Sequence, residues 1–230
     1  YTNFAIKPER MDYIGTFNGG SEVVVPIRSK GDLLSYVWIE QPNIASVGAN
    51  TAGLHSTDDT TVTEFSLHIG GQEVCRMDSL YVQGVHNVLL REGQSKASCA
   101  VTTSEVSDNA KGVGGSAGDH YIIPFFFSED WTKSLPLVGL QYHDVELRIK
   151  CRTGLSNLSA APKIYGMYAY LDTAEREHFT SQEHELLITQ TQFQPVTKTD
   201  TSIDLTYFNH PVQSLHLTTS NVSGTGWVSD

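Results

Sequence analysis

The chain has 230 residues, a formal net charge of −11 and 18% charged residues. This length suits one large β domain, or one domain and part of another. The acidic balance argues against direct packing of nucleic acid, which needs clustered lysine and arginine. The sequence contains no run of about 18 apolar residues, so it predicts no membrane-spanning helix. The cysteines, Cys75, Cys99 and Cys151, follow no disulfide spacing and favour a reduced, intracellular environment.

Short strands separated by turn residues are predicted along the N-terminal part of the chain. Tyr1–Arg10 is interpreted as an arm, because Pro8 should stop any regular element. Gln41–Thr60 is rich in Asn, Gly, Ser and Thr, which is typical of a loop. Alternating or continuous apolar residues predict four strands, at Tyr13–Phe17, Glu22–Ile27, Leu33–Ile39 and Thr61–Ile69.

The period of the apolar residues then changes. Over residues 79–92 they recur at near-helical spacing and predict a short helix. Gly93–Asp119 is polar and glycine-rich, so a long surface loop is expected there. Gly112–Gly118 within it lacks the Gly-Lys-Ser/Thr ending of a phosphate-binding loop, and we interpret it as part of the surface loop.

The stretch that follows is the most informative part of the sequence. Tyr121–Phe127 is a continuous apolar and aromatic run, which predicts a buried strand with an edge position or a bulge at Pro124. Ser128–Leu135 is expected to form a turn or helical insert, and Leu135–Tyr142 is again mostly apolar and is interpreted as a second buried strand. Asp144–Lys150 alternates strictly, so its apolar side chains should share one face of a strand.

The C-terminal third is predicted to hold one helix among strands. A loop at Cys151–Pro162 leads to a strand at Lys163–Leu171. A short helix over residues 172–180 should begin with a capping box formed by Asp172 and Glu175. Three further strands are predicted, at Leu186–Phe193, Ser202–Phe208 and Val212–Leu217. Many short strands with turn signals between them indicate an all-β sandwich or barrel.

Several segments carry a more specific signal. They read YTNFAI, KGDLL, IGGQ, PFFF, LPLVGLQYHDVEL, YLDTAERE and FNHPV, from Tyr1 to Val212. In this order they resemble the major capsid protein family of the nucleocytoplasmic large DNA viruses. The resemblance implies a double jelly roll, with a first roll at residues 1–171, a linker helix and connection at 172–185, and the start of a second, truncated roll at 186–230. We therefore expect the natural chain to continue past Asp230.

The resemblance also implies a function. It predicts a structural viral major capsid protein without catalytic activity, forming homotrimeric, pseudo-hexameric capsomers of an icosahedral shell. The implied partners are neighbouring capsomers and minor capsid proteins, with an internal membrane nearby into which the chain is not inserted, and no direct nucleic acid. The implied location is the virion capsid, assembled in the host cell cytoplasm.

We predict no catalytic, cofactor-binding or metal-binding residues. Glu183–His184–Glu185 is dense in potential ligands but lacks the HExxH spacing, and no GxSxG elbow occurs. His143 and His210 are interpreted as structural histidines whose rings bond a neighbouring backbone. A cupin-like metalloenzyme is therefore the weaker of two rival hypotheses.

The stronger rival is a carbohydrate-binding jelly-roll module. Tyr165, Tyr168 and Tyr170 could form a platform on which a sugar stacks. The favoured interpretation is that these rings pack inside a sandwich or between two sandwiches.

Overall fold

The computed structural model describes residues 3–41, 63–79, 81–82, 119–153, 155, 160–194, 202–206 and 208–216. Two antiparallel sheets and one α-helix account for most of the regular structure in this part of the chain. The strands are β1 (Ala5–Met11), β2 (Glu22–Pro26), β3 (Leu33–Gln41), β4 (Glu64–Ile69), β5 (Gln72–Asp78), β6 (Asp119–Ile123), β7 (Leu135–Pro136), β8 (Val145–Lys150) and β9 (Lys163–Tyr170), and the helix is α1 (Thr173–Ser181).

The strands pair in a nested pattern. β1 pairs with β9, β2 with β8, β3 with β6, and β4 with β5, all antiparallel. Two further pairings, β3 with β9 and β4 with β8, join these pairs into sheet A, ordered β1-β9-β3-β6, and sheet B, ordered β2-β8-β4-β5. The two-residue β7 pairs with β3 beside sheet A. A long hairpin folded over into two four-stranded sheets is the jelly roll, so the predicted fold class is confirmed.

The core of the sandwich forms where the inward residues of both sheets meet. In β8, Val145, Leu147 and Ile149 are buried, as the strict alternation predicts. Val23 and Val25 of β2 pair with the same strand and are also fully buried. At about 25 cal/mol per Å² of apolar surface removed from water, these interdigitated rows supply the main stabilisation of the roll.

Two predictions about the N-terminal region are wrong. Ala5–Met11 is strand β1 rather than an arm, and Pro8 is tolerated because β1 is an edge strand with one side open. Tyr13–Phe17 is not a strand and makes only one bridge, from Ile14 to Val24. Gly15 explains this, since its φ of 108° breaks the extended conformation and a Cβ there would lie 2.8 Å from the Glu22 carbonyl oxygen.

The aromatic run is also shorter as a strand than predicted. β6 ends at Ile123, and Pro124, which cannot donate to a ladder, leads into a 3-10 turn at Phe126–Ser128. The three phenylalanines still enter the core, with exposures of 4% or less. The predicted edge position or bulge at Pro124 is wrong, because Pro124 follows the last residue of β6 and takes no part in the ladder. The apolar segment after it is a two-residue strand and a 3-10 turn at Leu137–Gly139.

One strand was not predicted at all. β5 follows β4 through the two-residue turn Gly70–Gly71, whose φ values of 60° and 82° suit a tight hairpin. These glycines thus join two paired strands. Of the helix predicted at 79–92, only Ser79, Tyr81 and Val82 are described, and they have helical geometry; the remainder lies outside the described residues, as do most of the predicted loops at 41–60 and 93–119.

The predictions for the helix and for the segment after it have different outcomes. The helix near 172–180 is confirmed as α1, and Asp172 Oδ1 accepts a hydrogen bond from Thr173 N at 2.7 Å. The Glu175 side chain does not complete the capping box, since it makes no return bond to the backbone within the described residues. The three strands predicted between 186 and 217 are wrong for the described residues there, which form no ladder with any neighbour. A strand needs ladder bonds to a neighbour, and the described residues of these segments form none.

Candidate functional site

The outer face of sheet A carries a stripe of aromatic and apolar side chains. Trp38 of β3 lies opposite Tyr165 of β9 and Ile122 of β6, and Tyr36 lies opposite Met167. The rings of Trp38 and Tyr165 stack with centroids 5.3 Å apart, and Tyr36 packs 5.7 Å from Trp38. Ile122 is 46% exposed. This aromatic stripe is an apolar surface that another protein surface could cover.

The tyrosine hypothesis can now be resolved residue by residue. Tyr168 is fully buried and its hydroxyl donates to the Arg28 carbonyl oxygen at 3.3 Å, which confirms the packing interpretation for this residue. Tyr170 is half-buried beside Glu9. Tyr165 uses one ring face against Trp38, so it does not stand as a free sugar platform.

The outer face of sheet B is charged instead. Arg148 contacts Glu146 at 2.9 Å and lies 3.8 Å from Glu22, while Lys150 lies 3.7 Å from Glu64. These ion pairs, one within β8 and two across strands, are partly exposed, so each contributes little to stability. These pairs keep the face hydrated and its net charge close to zero.

A shallow pocket of about 190 Å³ lies in this charged face. His68 Nε2 is 3.1 Å from Ser66 Oγ and 3.9 Å from Glu73 Oε2, and Arg76 lines the same pocket. Among the described residues, no group of three or more His, Cys, Asp and Glu side chains could hold a metal ion. The mixed charges give the pocket no preference for an anion or a cation.

The other histidines singled out in the sequence, His143, His184 and His210, serve local structure or face solvent. His184 lies 2.7 Å from the Phe179 carbonyl oxygen and satisfies the C-terminal end of α1, while Glu183 and Glu185 beside it are exposed. His143 and His210 are exposed, and within the described residues neither ring bonds a neighbouring backbone, so that prediction is wrong. Exposed rings can be solvated by water and need no protein partner.

The two cysteines in the described residues are free and buried. Burial raises the pKa of Cys75 to about 11 and raises that of Cys151 as well. A thiol with a raised pKa is a poor nucleophile, so neither residue forms a reactive site. Among the described helices none is long and apolar enough to cross a membrane.

A polar junction ties the helix to the roll. The Asp32 carboxylate accepts two hydrogen bonds from Arg176, at 2.9 and 3.1 Å, and one from Leu171 N at 2.7 Å. Its backbone donates to Ala169 O and accepts from Val138 N. Asp32 is buried, with its side chain 10% exposed. This residue therefore fixes β3, β9, the 3-10 turn after β7, and α1 in one arrangement.

Both residues of this junction lie in segments that resemble the capsid family, but the sequence does not show that they contact each other. Asp32 lies in KGDLL and Arg176 in YLDTAERE, 144 residues apart. The preceding Gly31 is required by a close approach, since a Cβ there would lie 2.8 Å from Tyr168 Cβ. The sequence does show an aspartate that follows a glycine and directly precedes a strand. No local feature identifies the residue with which this aspartate pairs.

Comparison with known proteins identifies a matching family and several relatives of this chain. A family model described as the major capsid protein N-terminus matches residues 1–183. The chain is 31% identical to the major capsid protein of Pyramimonas orientalis virus, over 94% of this chain and 56% of that protein. It is 28% identical to the major capsid protein of Paramecium bursaria Chlorella virus 1, over 94% and 52% of the two chains.

A solved structure agrees with these sequence relatives. The quasi-atomic model of the PBCV-1 virus capsid matches with a TM-score of 0.67 and 25% identity, over 84% of this chain and 49% of that one. The chain spans about half the length of the relatives that it matches. Because the family model covers most of the chain and the jelly-roll topology agrees, this chain belongs to the major capsid protein family of large DNA viruses.

Proposed function

We propose that this chain is a structural subunit of a viral capsid and catalyses no reaction. The observation that carries the proposal is the nested eight-strand jelly roll, which matches a viral capsid structure with a TM-score of 0.67. A capsid subunit needs a rigid body with surfaces for its neighbours. The buried core and the aromatic stripe supply these two properties, and they require no catalytic group.

The two outer faces support different contacts. The aromatic stripe on sheet A suits burial against another protein surface, since contact cores are rich in aromatic side chains. The charged face of sheet B suits exposure to solvent. We infer homotrimeric, pseudo-hexameric capsomers that contact neighbouring capsomers and minor capsid proteins. An internal membrane lies nearby without insertion of this chain, and assembly takes place in the host cytoplasm.

The net charge of −11 supports a shell position without direct contact to the genome. Phosphate groups would be repelled by an acidic protein unless basic residues were clustered. On the charged face, the basic side chains of Arg148 and Lys150 are already paired with glutamates.

We further infer a division into a first roll at residues 1–171, a linker at 172–185 and the start of a second roll at 186–230. Support comes from the apolar residues after α1, several of which are exposed, as expected for strands that need a facing sheet. The mass of the protein extracted from particles tests this division. A mass near 25.3 kDa with a folded monomer in solution would contradict it.

Purified virus particles provide the main test. Quantitative mass spectrometry should find peptides of this chain among the most abundant particle proteins. Cross-linking should join Lys163, beside the aromatic stripe, to other capsid proteins more often than Lys150 on the charged face. Trace amounts or absence of the chain in particles would overturn the proposal, whereas strong binding on a glycan array would favour the carbohydrate-binding alternative.

The outward surface can be tested on the same particles. We predict that Gly93–Asp119 faces outward, because a polar, glycine-rich connection between β5 and β6 cannot bury much apolar area. Limited proteolysis of intact particles should cut within this segment first. Protection of the segment together with cutting elsewhere would contradict the prediction.

A further inference from the structure

The outer edge of sheet B is covered by a segment that follows α1. β5 is the outer strand of this sheet, with β4 on one side only. Val74 and Arg76 turn their backbone carbonyls to the open side, where each accepts a hydrogen bond from a side chain of that segment. Gln190 Nε2 donates to Val74 O at 2.5 Å, and Thr191 Oγ1 donates to Arg76 O. We name residues 188–191 the strap.

The strap also contacts the interior of the roll beneath this edge. Ile188 is partly buried and packs against the core, whereas Leu187 before it is 89% exposed. The backbone N–H of Thr191 donates to the thiol of Cys75, a buried residue of β5. The strap therefore presents one apolar side chain to the core and its hydrogen-bond donors to the strand edge.

A further contact joins the strap to the region that follows sheet A. Thr189 Oγ1 donates to Glu129 Oε1 at 3.4 Å, and Glu129 lies between the two 3-10 turns after β6, the outer strand of that sheet. Burial raises the pKa of Tyr81, and the charges of Cys75 and Glu129 raise it further, so this ring lies near both contacts. The strap thus connects the outer strand of sheet B to the turns beyond the outer strand of sheet A.

The strength of these contacts determines what the strap can do. Three side-chain hydrogen bonds, one backbone bond and one apolar side chain hold it, whereas β5 itself is held by a ladder along its whole length. Exposed hydrogen bonds contribute little each, and the most weakly held part of a fold opens first. Natural sheets often cover an open edge with a loop of this kind.

We propose that the strap is a latch that keeps the β5 side of the sandwich closed, and that its release exposes the edge of β5 while the other strands stay paired. This inference goes beyond the proposed capsid function and does not depend on it, since every contact lies within one chain. In the division proposed above, the strap belongs to the start of the second roll. The latch then also fixes where that roll leaves the first, and this consequence alone rests on the division.

The test removes the three side-chain donors with Thr189→Val, Gln190→Ala and Thr191→Val together in the 230-residue chain. Hydrogen exchange should accelerate by about tenfold in peptides covering β5 and residues 186–194, because the latch is weakened by the loss of these bonds. Peptides covering β2 and β8 should exchange as in the unmodified chain. The control is Gln192→Ala, which changes an exposed neighbour whose side-chain oxygen accepts from Asn209 N and should alter neither quantity.

A matched pair of neighbouring residues tests the apolar contact. Ile188→Ala should accelerate exchange in the same peptides, whereas Leu187→Ala should not, since Leu187 already lies in water. In a Cys99→Ser and Cys151→Ser background, Cys75 should react with a thiol reagent several-fold faster when the three donors are removed. Thermal melting followed by circular dichroism shows whether each variant is folded.

Two results would overturn the proposal. One is unchanged exchange of β5 in both the triple variant and Ile188→Ala. The other is equal acceleration in β2, β5 and β8, which would mean that the strap contributes only to global stability. The mass of the particle protein tests the division into rolls separately, so failure of the latch and failure of the division can be distinguished.

Discussion

The roll and the segment after the helix contain similar apolar patterns, but the apolar side chains are buried in the roll and largely exposed in the segment. Leu147 in β8 is fully buried, whereas Leu187, Phe193 and Val212 are 89%, 68% and 60% exposed. β8 has β2 on one side and β4 on the other, while the described residues after α1 form no ladder with any strand. An apolar pattern therefore becomes a buried strand only where neighbours supply ladder bonds and a facing sheet.

The energetic difference follows from the same contacts. Removing a leucine side chain from water contributes about 1.5–3 kcal/mol, and the roll gains this at many positions. In the segment after α1, Leu187 is 89% exposed and contributes almost none of it, and the half-exposed Leu205 and Leu215 contribute only part. We therefore expect substitutions in the two regions to differ strongly in their effect on stability.

The largest expected effect is that of Leu147→Asp. An unpaired carboxylate buried between the two sheets costs several kcal/mol, which is a large share of the ~5–15 kcal/mol that stabilises a domain. The variant should be insoluble or unfolded by circular dichroism. A soluble variant with the melting temperature of the unmodified chain would show that β8 is assigned to the wrong face.

The matched control is Leu187→Asp in the exposed segment. Its carboxylate would remain in water, so the free energy of unfolding should change by less than about 0.5 kcal/mol. A loss comparable to that of Leu147→Asp would break the comparison between the two regions.

This contrast also explains which elements could be predicted from the sequence. β8 was predicted because its residues alternate strictly, and β9 because it is dense in tyrosine and follows a loop; both are local signals. β1 was missed because its burial pattern is mostly exposed and Pro8 argued against a strand; only its edge position makes it possible. The strands predicted after α1 failed because pairing depends on distant neighbours that no local pattern encodes.

The same limit applies to the functional surfaces. The alternation of β8 predicted the charged face, because Glu146, Arg148 and Lys150 are the outward residues of one strand. The aromatic stripe needed the register of three strands, which brings Trp38, Tyr165 and Ile122 together. The family resemblance located the segments of the polar junction, but the pairing of Asp32 with Arg176 required the fold.

The polar junction connects the two regions, and breaking it should have an intermediate effect. Asp32→Ala leaves the Leu171 N–H and the Arg176 guanidinium without their acceptor. Loss of a buried acceptor of this kind costs about 1–3 kcal/mol. Urea unfolding should show this loss, and hydrogen exchange in α1 should accelerate.

Arg176→Gln serves as the companion variant. Its side chain is 49% exposed, so the remaining Asp32 carboxylate can be solvated in part and still accepts from Leu171 N. A smaller destabilisation than that of Asp32→Ala is expected. If Arg176→Gln destabilised the chain more, the helix contact rather than the buried aspartate would be the main support of the junction.

The smallest expected effect concerns Cys75, which is buried on the inner face of β5. Burial raises its pKa from 9.0 to about 11, so the folded state holds the thiol protonated where the unfolded state would ionise it. Because the folded pKa is raised, the contribution of this residue to stability is complete below pH 9 and is lost as the pH rises from about 9 to about 11. In a Cys99→Ser and Cys151→Ser background, Cys75 should react with a thiol reagent at pH 8 only slowly until urea is added. Rapid reaction of the folded chain would show that this edge of the roll opens to solvent.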